Sequence, residues 1–339
     1  MNYHTLGSSS LRISTIGFGC MSLGEGEAEN TRLIHRALEL GINFFDTADL
    51  YDKGLNEQTI GKILHSKRDE VVLATKVGNQ WRADGSGWDW NPRKEYIINA
   101  AEASLKRLQT DRIDLYQLHG GTMEDPIDET IEAFEILQQQ GKIRYYGISS
   151  IRPRVIREYI KRSDGRWPGN CLEPSNEKSG TTQLPGNTEE PLSKSENSTN
   201  NNRSGIVSVM LQYNLLDRRA EETVLPLLLA NGIGVLVRGA LAKGLLVNKP
   251  VTQYLNSGEE EVHRAADAIL SLSGTKRKKA HTALQFVLKN PAVTSVVTGL
   301  RTIEQLEEVE GVNESVRLTD EEMDTLRGVL PVNYYDPNL

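Results

Sequence analysis

The sequence runs to 339 residues with only two cysteines, Cys20 and Cys171. So small a number argues against a disulfide framework and fits a reducing compartment. The six histidines, His4, His35, His65, His119, His263 and His281, are scattered without ligand spacing, which argues against metal catalysis. No apolar run approaches the roughly 20 residues a membrane helix needs. The opening Met1-Asn2-Tyr3-His4-Thr5 lacks the basic flank and apolar run of a signal peptide, so a cytoplasmic protein is expected. There is no surplus of positive charge: the formal net charge is −7, which favours neither nucleic acid nor an anionic membrane as partner. The Gly-x-Gly-x-x-Gly fingerprint is also missing. Gly17-Phe18-Gly19 begins one, but Ser22 occupies the last glycine position and no helix opens there, which disfavours an open-sheet dehydrogenase.

Short apolar runs alternate with helix-period segments through most of the chain. Ile16–Gly19, Ile42–Asp46, Val71–Lys76, Ile113–His119, Ile143–Ser149, Ile206–Tyr213, Gly234–Arg238 and Val293–Thr298 read as buried strands. Between them the spacing predicts amphipathic helices, among them Thr31–Leu40, Tyr96–Leu108 and Asp128–Gln140. In the last, Ile131, Phe134, Ile136 and Leu137 form an apolar stripe that Gly141 ends. Repeated strand–helix–strand alternation implies a parallel sheet with right-handed crossovers. Eight such strands suit a closed barrel, although an open sheet would alternate in the same way. Tyr3–Ile13, with Gly7-Ser8-Ser9-Ser10 at its centre, reads as an N-terminal hairpin. The expectation is one α/β domain over 1–339, a (β/α)8 TIM barrel.

One stretch, residues 163–204, breaks the rhythm. It is rich in Ser, Asn, Gly, Pro and Glu and has almost no apolar period, as in Asn197-Ser198-Thr199-Asn200-Asn201-Asn202. Such a composition reads as a long disordered insertion. It follows a helix, Arg152–Arg162, and precedes a strand, so in a barrel it belongs at the bottom face, away from the chemistry. A tolerated surface insertion is one reading and a partner-binding loop the other.

Four polar residues fall at or just beyond strand ends: Asp46, Tyr51, Lys76 and His119. Side chains at the C-terminal ends of parallel strands converge on one mouth. A lysine ending an apolar strand needs a partner when buried, and Asp46 can supply one. A phenol alone is a weak acid at neutral pH; an ammonium beside it favours the phenolate and makes it a better proton donor. Tyr51 near Lys76 could then protonate a carbonyl oxygen, while His119 orients that oxygen by a hydrogen bond. Taken singly, each residue has an ordinary role: strand-end cap, loop aromatic, rim charge, core histidine. Their joint placement at one face is what points to chemistry.

The run Asn43-Phe44-Phe45-Asp46-Thr47-Ala48-Asp49-Leu50-Tyr51, with Asn56-Glu57 after it, resembles the first signature of the aldo-keto reductases. Ala74-Thr75-Lys76 and Asp114-Leu115-Tyr116-Gln117-Leu118-His119 resemble that family's lysine and histidine strands, and the resemblance spans about Tyr3 to Leu330 outside the insertion. It implies a (β/α)8 barrel, NADPH (NADP+) as cofactor, and carbonyl–alcohol interconversion on a small-molecule carbonyl substrate. It also implies Tyr51 as acid/base, Lys76 and Asp46 tuning it, and His119 orienting substrate.

The same resemblance implies a cofactor site on later strand ends. Ser149-Ser150 and Gln212 correspond to ligands of the nicotinamide carboxamide, and Tyr213 to an aromatic stacked on its ring. Arg238-Gly239-Ala240-Leu241 with Lys243 corresponds to the loop over the pyrophosphate. Gly299, Arg301, Gln305 and Glu308 correspond to the segment gripping the adenosine 2′-phosphate. Arg301 suits phosphate because its planar fork binds two oxygens, and Thr302 opens a helix whose N-terminus favours anions. Three positions depart from the commoner pattern: Ser150 for asparagine, Arg238 for serine, and Val309 for an adenine-contacting asparagine. They bear on the preference for NADPH over NADH. A rival reading is a regulatory subunit that binds NADPH as a redox sensor with slow or no turnover. Substrate choice falls to mouth loops such as Asn79–Trp90, where Trp81, Trp88 and Trp90 serve either as pocket lining or as lid packing.

Overall fold

The computed structural model describes residues 1–163 and 205–335, so nearly all of the segment 163–204 lies outside the described residues. The chain opens with β1 (Tyr3–Thr5) and β2 (Arg12–Ser14), paired antiparallel with Tyr3 opposite Ser14, the predicted hairpin. The barrel strands are β3 (Ile16–Gly19), β4 (Phe44–Asp46) and β5 (Val72–Val77), then, after a small hairpin of β6 (Asn79–Trp81) and β7 (Trp88–Trp90), β8 (Ile113–Leu118) and β9 (Ile143–Ser149). Strands β10 (Ser208–Gln212), β11 (Gly234–Arg238) and β12 (Val293–Gly299) complete it. Neighbouring strands pair in parallel in chain order, and β12 closes on β3 through Val296–Ile16 to Gly299–Gly19. Each predicted strand therefore exists, with either end within two residues of the predicted one.

Helices α1 (Glu27–Glu39), α2 (Leu55–Leu64), α3 (Lys94–Arg107), α4 (Ile127–Gln139) and α5 (Pro153–Ser163) connect the first five barrel strands and lead out of the fifth. Helices α6 (Val224–Ala230), α7 (Glu259–Ser271), α8 (Lys279–Leu288), α9 (Ile303–Val309) and α10 (Asp320–Gly328) follow. Helix α1 starts four residues before the predicted Thr31, since Glu27 and Glu29 in its first turn suit a helix N-terminus.

Two apolar layers hold the barrel. The outer one lies between strands and helices, where Phe134 stacks on Tyr146 and meets Tyr116 edge-on. The inner one fills the barrel: Phe44, Val72, Leu115, Met210 and Leu236 point inward and meet Leu6, Leu11 and Ile13 of the N-terminal hairpin. The hairpin thus plugs the bottom. Each fully buried Leu or Ile there contributes about 1.5–3 kcal/mol of transfer free energy. Gly7 lets it seat: φ is +53°, and a Cβ would come within 2.2 Å of the Val207 carbonyl oxygen.

At that bottom end α5 stops at Ser163 and the chain re-enters at Gly205. The Ile206 amide donates to the Ser163 hydroxyl at 3.2 Å, so both ends of the predicted insertion meet at one point below β10.

Candidate active site

At the opposite end, the C-terminal ends of the strands surround a cavity of about 640 Å³. Asp46, Tyr51 and His119 line it. Lys76 lies just behind them, 1% exposed. Its ammonium donates to Asp46 Oδ1 at 2.5 Å, to the Thr47 carbonyl at 2.8 Å and to the Tyr51 hydroxyl at 3.4 Å. Gln117 Nε2 donates to the other Asp46 oxygen at 3.2 Å. Burial opposes the ammonium, yet the charges of Asp46 and Tyr51 hold Lys76 above the usual lysine value. Burial pushes the Asp46 carboxyl up, against the pull of Lys76.

The His119 ring stands edge-on to Tyr51, centroids 5.9 Å apart at 83°. Burial, then the charges of Lys76 and Arg238, lower its pKa to about 3, so the imidazole is neutral at physiological pH. Its Nδ1 is buried without a partner. An unprotonated Nδ1 is the cheaper arrangement, because a buried N–H without an acceptor forfeits a full hydrogen bond. That puts the ring proton on Nε2.

The loop carrying Tyr51 is pinned by residues of the same stretch. Thr47 donates to Asn56 Oδ1 at 2.6 Å, and Asn56 Nδ2 donates to the Cys20 carbonyl at 2.9 Å. Glu57, fully buried, accepts from Thr75 at 2.6 Å and from Arg107 Nε at 2.6 Å. These bonds let a short turn with left-handed Asp52 and Lys53 present the tyrosine.

Of the expected cofactor residues, Ser149, Ser150, Gln212, Arg238, Gly239, Lys243 and Gly299 line the same cavity. Arg238 donates to Gln212 Oε1 at 3.0 Å, and Gln212 donates to Asp217, which is held by Arg219 at 2.7 Å. Leu241 contributes its backbone: its carbonyl accepts from Gly244 at 2.8 Å and closes the turn that presents Lys243. Arg301, Gln305 and Glu308 lie beyond Gly299, from the turn before α9 to its last turn, outside the cavity. There Gln305 Oε1 accepts from the Arg301 amide, and Glu308 accepts from Asn248 at 2.7 Å.

Tyr213 is a correction. The stacking position expected of it is not where its ring lies: it is 1% exposed, packed in the core against Phe286, with its hydroxyl donating to Glu221 at 2.6 Å. Val309 is likewise a core residue, 2% exposed. The tryptophan loop is a hairpin, and its tryptophans stay out of the cavity. Trp90 packs on Gly78, where a Cβ would lie 2.5 Å from the ring, and donates to Asp125 at 2.8 Å. Trp81 donates to the Leu50 carbonyl at 3.2 Å. Met21, Ser22, Arg152 and Tyr254 also line the cavity and were not expected there. Met21 and Ser22 follow the first barrel strand, a position that topology alone assigns to the mouth; Tyr254 comes from a distant loop with no sequence signal.

Among the described residues no group of acidic, histidine and cysteine side chains could hold a metal ion, and no helix is long and apolar enough to cross a membrane. A closed eight-stranded parallel barrel with an ionisable cluster at a cavity on its C-terminal mouth is the arrangement of a barrel enzyme. Residues 15–331 match the Aldo/keto reductase family, and the chain belongs to it. It is 44% identical over 336 residues to Uncharacterized oxidoreductase YqkF of Bacillus subtilis (strain 168), covering 96% of each chain. It is 30% identical to L-galactose dehydrogenase of Arabidopsis thaliana, covering 89% of this chain and 85% of that one. The holo form of aldo-keto reductase AKR11C1 from Bacillus halodurans superposes with a TM-score of 0.82 at 43% identity, covering 100% and 99% of the two chains. Members of this family are oxidoreductases that use a nicotinamide cofactor and act on small carbonyl compounds.

Proposed function

We propose that the protein reduces an aldehyde or ketone to the alcohol, reversibly, with NADPH as cofactor. The observation that carries this reading is the chain Asp46–Lys76–Tyr51 behind one wall of the cavity, with a neutral His119 beside it. Nicotinamide, when bound, supplies the hydride to the carbonyl carbon. Tyr51 gives its hydroxyl proton to the carbonyl oxygen, and the Lys76 ammonium stabilises the phenolate left behind. Asp46 keeps Lys76 charged in a site that would otherwise favour the neutral amine. His119 Nε2–H donates to the same oxygen and positions it for Tyr51.

The residues present suit the cofactor. Ser149, Ser150 and Gln212 offer hydroxyls and a carboxamide at the inner end, beside Tyr51. Arg238, Gly239 and Lys243 offer two cations and an open backbone for a diphosphate. Gly299, Arg301, Gln305 and Glu308 would hold the 2′-phosphate, with the Arg301 fork as its partner.

Turnover tests the reading: NADPH oxidation with a panel of aldehydes, ketones and sugars, for the wild type and Tyr51→Phe. The expected result is turnover in the wild type and a loss of about 10²–10⁴ in kcat in the variant, the usual worth of a general acid. NADPH affinity should be unchanged, because only one hydroxyl is removed. Near wild-type rates in Tyr51→Phe would refute the mechanism; tight NADPH binding without turnover on any carbonyl would favour a redox sensor.

A further inference from the structure

Arg152 stands immediately before α5 and lines the cavity at the barrel mouth. Its Nη1 donates to the Gly121 carbonyl at 2.5 Å, which ties the loop after β9 to the loop that follows His119. The other edge of the guanidinium is free. Among the described residues Nε and Nη2 have no hydrogen-bond partner, and neither atom is buried. No carboxylate pairs with Arg152 among the described residues. The exposed Glu124 feels its charge without pairing with it. Asp125, on the same loop, has both oxygens bonded to Thr122 and Trp90. A guanidinium stays charged in proteins, so one that lines a cavity without a counter-ion favours an anion there.

The other charges of the cavity do not satisfy it. Among the described residues Asp46 is the acidic one in the lining, and it is paired with Lys76. The cations Arg238 and Lys243 come from β11 and the loop after it, where they suit the cofactor's diphosphate. That strand is two places from β9, or about 10 Å around the mouth. Arg152 is instead on the His119 side. Gly121 is two residues past His119, so at most about 7 Å of backbone separates the carbonyl that Arg152 holds from the residue that orients substrate.

The free edge also selects the anion. Nε–H and Nη2–H lie side by side and match the two oxygens of a carboxylate. Arg219 uses the same edge in this way, with Nε and Nη2 donating to the two oxygens of Asp217, each at 2.7 Å. A phosphate monoester carries up to about two negative charges at neutral pH, more than one guanidinium balances. We propose that the substrate is a carbonyl compound that bears a carboxylate, an aldehyde acid or keto acid, held by the free edge of Arg152 while Tyr51 and His119 hold its carbonyl. This rests on the reductase reading above and makes Arg152 a specificity-determining residue.

The test separates binding from turnover. Succinamate and succinamide differ in one carboxylate, and neither has a carbonyl that hydride reduces. Titration of the NADPH-loaded protein, followed by saturation-transfer NMR, should give succinamate an affinity about 10- to 100-fold higher, the worth of a charge-assisted pair. The gap should close to within about twofold in Arg152→Gln, whose carboxamide can still donate to the Gly121 carbonyl. Arg152→Lys keeps the charge without the fork and should fall between. In turnover, kcat/KM for 4-oxobutanoate should exceed that for its methyl ester by a similar factor, carried in KM, and the ratio should fall to near one in Arg152→Gln. Equal affinity of the wild type for succinamate and succinamide overturns the proposal, as does a preference that Arg152→Gln leaves intact. Turnover of the ester with no preference for the acid would refute the carboxylate site and leave the reductase. An Arg152-dependent preference for succinamate without turnover of either aldehyde would refute the reductase and leave the carboxylate site.

Discussion

His119 offers a measurement that reads the site's electrostatics through stability. Its folded-state pKa is about 3, depressed by burial and by the charges of Lys76 and Arg238; an unfolded histidine titrates near 6.5. The folded value is the lower one, so the unfolded chain takes up a proton that the folded chain refuses. Above pH 6.5 neither state binds it and His119 contributes no pH dependence. Below pH 6.5 stability falls by about 1.4 kcal/mol per pH unit until pH approaches the folded value. At pH 5 the loss relative to pH 8 is about 2 kcal/mol, and the full drop at pH 3 is on the order of 5 kcal/mol. The perturbation is His119→Gln, which removes this titration while other groups titrate alike in both proteins. Urea unfolding of the two at pH 8, 7, 6 and 5 should show the wild type losing about 2 kcal/mol more than the variant over that range. A difference constant within about 0.5 kcal/mol, or an imidazole NMR resonance of His119 titrating near 6.5, would sink the argument. The same depressed pKa predicts that any acid limb of kcat/KM between pH 5 and 8 does not arise from His119.

Two further expectations follow. Arg301→Ala should weaken NADPH about 10- to 100-fold, as for a lost charge-assisted pair, and leave NADH within about twofold by fluorescence titration; equal losses for both cofactors would remove Arg301 from the 2′-phosphate. Replacing residues 164–204 with a short Gly-Ser link should leave kcat and KM within about twofold, because Ser163 and Ile206 already touch and Ile206 to Gln212 spans about 20 Å of strand between stem and site. A fall in kcat beyond about tenfold with an unchanged thermal transition would show that the segment reaches the site.

The barrel was legible because a parallel strand buried on both faces leaves a continuous apolar run, and each run here has one. Asp46, Lys76 and His119 were legible for the same reason: each is the polar residue that ends such a run. Gln212 and Tyr213 show where this stops working. Both sit at the end of the same apolar run, but β10 ends at Gln212 and the chain turns through Asn214–Asp217, so one side chain faces the mouth and the next enters the core. Nothing local distinguishes them. The tryptophans of the β6–β7 hairpin were undecided for a like reason, since packing and ligand stacking ask for the same residue type.

By itself, then, the sequence determined a parallel α/β fold and, through its motifs, the family and with it the barrel, because hydrophobic period and motif spacing are local properties. Tertiary structure decided the rest. It put Lys76 in hydrogen-bond reach of Asp46 and Tyr51, made His119 neutral, and closed both ends of the insertion at the bottom. Each of those depends on burial and on side chains brought together from distant strands and loops, and no stretch of sequence contains either.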